Sequence, residues 1–80
     1  MVVTVSIMDM LYKCTNNAYS KTYYSFEHNG SAIYEHEQYV EDKFNKLHKD
    51  DGVTIKHTHA RVKFRFNTEQ HHTMFVLKYS

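Results

Sequence analysis

Between Val53 and Ser80 the chain reads VTIKHTHARVKFRF, a polar break NTEQHH, and then TMFVLKYS. Apolar and polar residues alternate on both sides of a short break, which predicts an antiparallel β-hairpin. With Asn67 to Gln70 as a four-residue loop, Phe66 is set against His71, Phe64 against Thr73, Val62 against Phe75 and Ala60 against Leu77. Strand side chains alternate sides, so one face of this ribbon is apolar. The other face carries His59, Arg61, Lys63, Arg65, His72 and Lys78 around Met74 and Val76. A slip of one residue would bury the cations, which specifies the register. Val53 and Ile55 put the apolar phase on odd positions, whereas Ala60, Val62, Phe64 and Phe66 put it on even ones. A bulge or break near His57 to His59 is expected to reconcile the two.

Upstream, Val2 to Lys13 predicts a strand with Val3, Val5, Ile7 and Leu11 on one phase, and Asp9 marks a bulge or a strand end. Cys14 to Ser20 is turn-rich and reads as a loop. Thr22 to His28 alternates again and runs into Asn29-Gly30, a pair suited to the positive φ angles of a type I′ turn. That hairpin would oppose Phe26 to Ile33; the competing reading makes Ser31 a helix N-cap. From Glu37 to His48, Val40, Phe44 and Leu47 recur at helical spacing, with His36 or Tyr39 extending the stripe. Acids lie toward the start of this helix and lysines toward its end, which complements the helix dipole. Gly52 follows as a left-handed cap or turn residue. The elements compose a single small α+β domain over residues 1–80, a single antiparallel sheet with one amphipathic helix packed on one face. Their order is strand, strand, strand, helix, strand, strand, with one strand fewer if Ser31–Glu35 joins the helix.

Composition narrows the functional classes. A chain of 80 residues buries a modest core and gains from a partner. The one cysteine, Cys14, allows no intramolecular disulfide and points to a reducing compartment. The opening VVTVSIMDML has no basic flank or cleavage-type site, and no apolar run approaches the ~20 residues that span a bilayer. The expectation is a cytoplasmic protein with no membrane association. Phe, Tyr, Met, Ile, Asn and Lys total 32 residues against 7 for Gly, Ala, Arg and Pro, a skew that suggests an AT-rich genome of the bacteriophage or mobile-element kind. Charge is segregated: residues 27–51 hold seven acids and three lysines, whereas residues 53–80 hold five cations and Glu69.

Seven histidines raise the question of a metal. His57 and His59 would share a strand face, but His71 and His72 lie at the opposite end of the expected ribbon, about a dozen residues away at ~3.3 Å each. No metal site and no cofactor are therefore expected. The acids Glu35, Glu37, Glu41 and Asp42 read as a solvated helix face, and no nucleophile elbow or Gly-rich phosphate loop is present, so an enzyme is not expected. What remains is a surface. Met74 and Val76 rimmed by Arg and His resemble the composition of protein interfaces. The leading expectation is a small interaction protein that binds a larger protein, with inhibition as one outcome, through His59, Arg61, Lys63, Arg65, Met74 and Lys78. The alternative is a nucleic-acid-binding domain that uses the same face for phosphates. The free edge of the last strand is expected to allow a homodimer.

Overall fold

A computed structural model of the chain describes residues 1–12, 17–24 and 37–80. It is an α+β structure with one three-stranded antiparallel sheet and four helices among the described residues. In chain order these are β1 (Val2–Ser6), α1 (Ile7–Tyr12), α2 (Ala18–Tyr24), α3 (Glu37–Leu47), a 3₁₀ turn (Lys49–Asp51), β2 (Val53–Thr58), β3 (Arg61–Phe66) and α4 (Glu69–Tyr79). The sheet order is β1-β3-β2, so β3 is the central strand. The expected hairpin over Asn29-Gly30 and the expected loop at Cys14 lie outside the described residues, save that Ala18 to Tyr24 is helical.

β3 holds the fold together because both of its neighbours pair with it throughout. Val3 lies opposite Phe64 and Val5 opposite Val62 on one side; Ile55 lies opposite Phe64 and Val53 opposite Phe66 on the other. Even-numbered β3 residues, Val62, Phe64 and Phe66, are buried, and odd-numbered ones are exposed. The inward row meets Ile7 and Met10 of α1, Ala18 and Tyr23 of α2, Val40 and Phe44 of α3, and Phe75 of α4 in one core. Phe64 sits at its centre, with ring centroids 5.1 Å from Tyr19, 5.8 Å from Phe44 and 6.3 Å from Phe75. Each fully buried side chain of this size contributes about 1.5–3 kcal/mol of transfer free energy.

The helix over Glu37–Leu47 forms as its spacing predicts, with Val40 and Phe44 buried. Leu47, expected to continue the stripe, is instead 63% exposed, and His48, four residues beyond Phe44, takes the inward place. Gly52 adopts φ +69° and ends the 3₁₀ turn with its N–H bonded to the Lys49 carbonyl at 3.2 Å. A Cβ there would stand 2.3 Å from Cδ2 of His71, so any other residue would have to displace that ring as well as adopt a left-handed backbone.

Three expectations are corrected. The first strand stops at Ser6, where the Ile7 N–H bonds the Ala60 carbonyl at 2.8 Å; Ile7 and Met10 are then buried from the following helix. Thr22 to Tyr24, read as a strand, belongs to α2, capped by the Asn17 Oδ1 that accepts the Ser20 N–H at 3.0 Å. The largest correction concerns the carboxyl-terminal hairpin. Residues 69–79 form a helix whose N-cap, Thr68, accepts the His71 N–H, with Glu69 in the first turn and Lys78 in the last. The hairpin lies one element earlier, and the phase change expected as a bulge is its turn. Thr58 faces Arg61 across a two-residue loop in which His59 has φ 32° and Ala60 φ 58°. These are the positive angles of a type I′ connection, met here without Asn or Gly.

The left-handed region costs a residue with a Cβ roughly 1–2 kcal/mol relative to its preferred conformation. Replacing His59-Ala60 by Asn-Gly is expected to stabilise the protein by about 1 kcal/mol, read as a higher urea midpoint at unchanged slope. An unchanged or lower midpoint would show that the turn is not under this strain.

Candidate functional site

The outward side of the sheet is built by the same alternation that builds the core. Arg61, Lys63 and Arg65 project from β3 away from the helices. The register lines them up in three rows: Ser6, Arg61 and Thr58; Thr4, Lys63 and Lys56; Val2, Arg65 and Thr54. This grid of nine positions holds four cations, four hydroxyls and one valine, and no acid. Lys56 stands directly opposite Lys63. Like charges directly opposed on an antiparallel pair are destabilising, so the fold carries a cost here that a Glu at either place would remove. None of the four cations has an ion pair among the described residues. A shallow groove of about 560 Å³ runs over this face, bounded by Val2, Thr54, Lys56, Lys63 and Arg65 and closed at the β2 edge by Asn45.

The six residues expected to form a contact surface are thus divided. Arg61, Lys63 and Arg65 share the open face as expected. His59 sits at the exposed hairpin turn, beside that face rather than on it. Met74, 61% exposed, and Lys78 are carried by α4, which packs through Phe75 against Phe64 and Phe66 and so lies on the other side of the sheet. Lys56 was missed. With residues 53–66 taken as one interrupted strand it had no place opposite Lys63, and only the turn at His59-Ala60 brings the two together.

A second cluster surrounds Asp51. Its Oδ2 accepts from Nδ1 of His48 at 2.9 Å and from the Tyr79 hydroxyl at 2.7 Å, and its Oδ1 accepts from Lys78 at 3.2 Å. Burial raises the Asp51 pKa, but the hydrogen bonds from Tyr79, His48 and Lys78 outweigh it and hold the carboxyl below its ordinary value. Tyr79 is shifted up, first by burial and then by its bond to Asp51. A carboxylate only accepts, so Nδ1 of His48 carries the proton. The ring, 4% exposed, lies 4.3 Å from Phe44 between centroids, and its Nε2 is buried with no hydrogen-bond partner among the described residues. A cleft of about 360 Å³ adjoins the cluster, with Lys21 and Thr22 of α2 across from Asp51 and Lys78.

A third arrangement orders a carboxylate, an imidazole and a phenol. Glu41 Oε1 accepts from both the backbone N–H of His57 and, at 3.1 Å, its Nδ1; Nε2 then accepts from the Tyr23 hydroxyl at 2.7 Å. The His57 side chain is 2% exposed and Tyr23 is fully buried, so no substrate reaches the hydroxyl. The relay fastens α2, α3 and β2 together. His72 is similarly tied to the Tyr19 hydroxyl, and His71 to Thr68 Oγ1 at 2.7 Å. The pairing of His57 with His59 on one strand face is undone because His59 leaves the strand in the turn. Among the described residues no group of three or more His, Cys, Asp or Glu is placed to hold a metal ion. Nor is any described helix long and apolar enough to cross a membrane.

No protein-family model matches the chain, and no curated protein or solved structure matches it either.

The Asp51 cluster has a defined pH signature. A carboxyl whose folded-state pKa is depressed contributes stability that is present above its unfolded value of about 3.9 and is lost as pH falls through the folded value. Urea midpoints measured from neutral pH into acid are expected to fall more steeply below about pH 4 in the wild type than in Asp51→Asn, since the variant lacks this titration. Equal slopes in the two proteins would remove Asp51 as the source.

Proposed function

We propose that this chain is a small binding module that holds a nucleic-acid backbone on the open face of its sheet. The observation that carries this reading is the acid-free grid of Lys56, Arg61, Lys63 and Arg65, with two lysines directly opposed and none of the four neutralised among the described residues. Cations concentrated on one face create a local potential that a nearly neutral whole molecule hides. Phosphates would satisfy the four charges, and Thr4, Thr54 and Thr58 supply hydroxyl donors of the kind that position a phosphate backbone.

The reading of the same surface as a site for a larger protein leaned on Met74 at its centre. With Met74 on α4 the face keeps only Val2 as an apolar element, which argues against an interface with a hydrophobic middle. The face also lacks aromatic side chains for stacking on bases. Binding should accordingly be sequence-independent and driven by counterion release.

Fluorescence anisotropy with labelled oligonucleotides tests this. Neutralising about four phosphates gives a log–log salt slope of roughly −3 for single strands and −3.6 for duplex, so affinity should fall about 50- to 150-fold between 50 and 200 mM salt. Lys56→Glu combined with Arg65→Glu should abolish binding while leaving the thermal transition in place. Salt-independent binding, or undiminished binding by the double variant, would overturn the proposal. So would capture of an acidic protein that persists after nuclease treatment while oligonucleotides fail to bind.

A further inference from the structure

The two outer edges of the sheet are treated differently. Phe66 exchanges backbone hydrogen bonds with Met1, so Phe66, Phe64 and Val62 turn their backbone groups toward β1, and the alternate residues turn theirs toward β2. The groups of β2 that face outward are then those of Val53, Ile55 and His57. Side chains of α3 cover two of these residues. Asn45 Oδ1 accepts the Ile55 N–H at 2.7 Å, Asn45 Nδ2 donates to the Ile55 carbonyl at 3.3 Å, and Glu41 accepts the His57 N–H.

On β1 the same alternation turns the N–H and C=O groups of Val2 and Thr4 and the N–H of Ser6 outward without a hydrogen-bond partner among the described residues, while the Ser6 carbonyl accepts the first bond of α1. The strand, Val-Val-Thr-Val-Ser, has no charge, no proline and no glycine. Sheet edges are ordinarily blunted by lysine, proline or a bulge. Here every cation of the sheet sits on β2 or β3 instead. Met1, Val2 and Met8 are each about half exposed.

We propose that two copies of this chain pair through β1, antiparallel about Thr4. In that register Thr4 faces Thr4 of the second copy, Val2 faces Ser6, and Val3 faces Val5. The groups left free by α1 meet their counterparts, which gives four backbone hydrogen bonds: two between the Thr4 residues and one from each Ser6 N–H to the other copy's Val2 carbonyl. No like charges oppose one another across the seam: the two β3 strands are three strand spacings apart, about 14 Å. Met1 of each protomer comes alongside the Ile7–Met8 corner of the other. The second copy is the occupant favoured because the edge is self-complementary in both hydrogen bonding and side chains, as an isologous interface requires. The product is one six-stranded sheet whose open face carries eight cations in two groups flanking a hydroxyl-lined seam. The consequence for nucleic acid rests on the polyanion reading above: a backbone long enough to touch both groups would tighten the dimer, and the dimer would tighten its binding.

Sedimentation equilibrium of the full chain, in reductant so that Cys14 cannot cross-link and without nucleic acid, tests the dimer separately from that reading. A seam of five residues is small, near the lower limit of stable interfaces. The mass should therefore rise with concentration from 9.6 kDa toward twice that value. Thr4→Pro removes an N–H that points away from β3, so it should leave the monomer folded, by thermal transition, and hold the mass at 9.6 kDa. Thr4→Glu, which keeps the backbone, faces Lys63 within its own sheet and sets two carboxylates face to face across the seam, should do the same, whereas Thr4→Ser should still dimerise. A wild-type mass of 9.6 kDa at every concentration, or a dimer that survives both Thr4→Pro and Thr4→Glu, would overturn the proposal.

Discussion

The structure depends on a single strand being paired on both sides while its side chains divide between two environments. β3 supplies Val62, Phe64 and Phe66 to the core and Arg61, Lys63 and Arg65 to water, so the hydrophobic effect that seats the rings also fixes the cations on the opposite face. Neither half can change without the other. A one-residue slip of β3 would put two arginines and a lysine against Phe44 and Phe75, at a desolvation cost far beyond the net stability of a chain this size. The basic surface is thus as well defined as the core.

The small size of the core is offset by side-chain hydrogen bonds that reach from helix to strand. Asn45 bonds both backbone groups of Ile55 and closes part of the β2 edge, while Glu41, His57 and Tyr23 link three elements in one buried chain of bonds. Histidine suits these places because a neutral ring offers one donor and one acceptor and can sit between a carboxylate and a hydroxyl. His48 departs from that pattern, since its Nε2 is buried without a partner among the described residues. The ring stays because Phe44, Phe75 and Tyr79 enclose it and Asp51 holds its other nitrogen.

Much of this was legible in the chain. The spacing of Val40 and Phe44 marked α3, Gly52 marked the left-handed turn before β2, and the even phase of Val62, Phe64 and Phe66 marked the inward side of β3. Two features were not. The turn at His59-Ala60 has none of the residues that tolerate positive φ cheaply, so the phase change across it looked like a bulge within one strand. In α4 the apolar residues Met74, Phe75, Val76 and Leu77 are consecutive, which satisfies a period of two as readily as one of 3.6; only Phe75 is buried. Thr68 before Glu69 was the available cue, as an N-cap followed by an acid in the first turn. Those two errors displaced the site as well. They put Met74 and Lys78 beside the arginines and hid Lys56, which owes its place to the hairpin alone.

The proposed nucleic-acid binding puts the ligand on the open face of the sheet and not on the helical side. Amide chemical-shift mapping during titration with a short oligonucleotide at low salt tests it residue by residue. Binding on the open face should shift Thr4, Thr54, Lys56, Arg61, Lys63 and Arg65 and leave α4 and the Asp51 cluster unmoved. Shifts concentrated on α4 or around His48 and Asp51, or none at all at low salt, would contradict it.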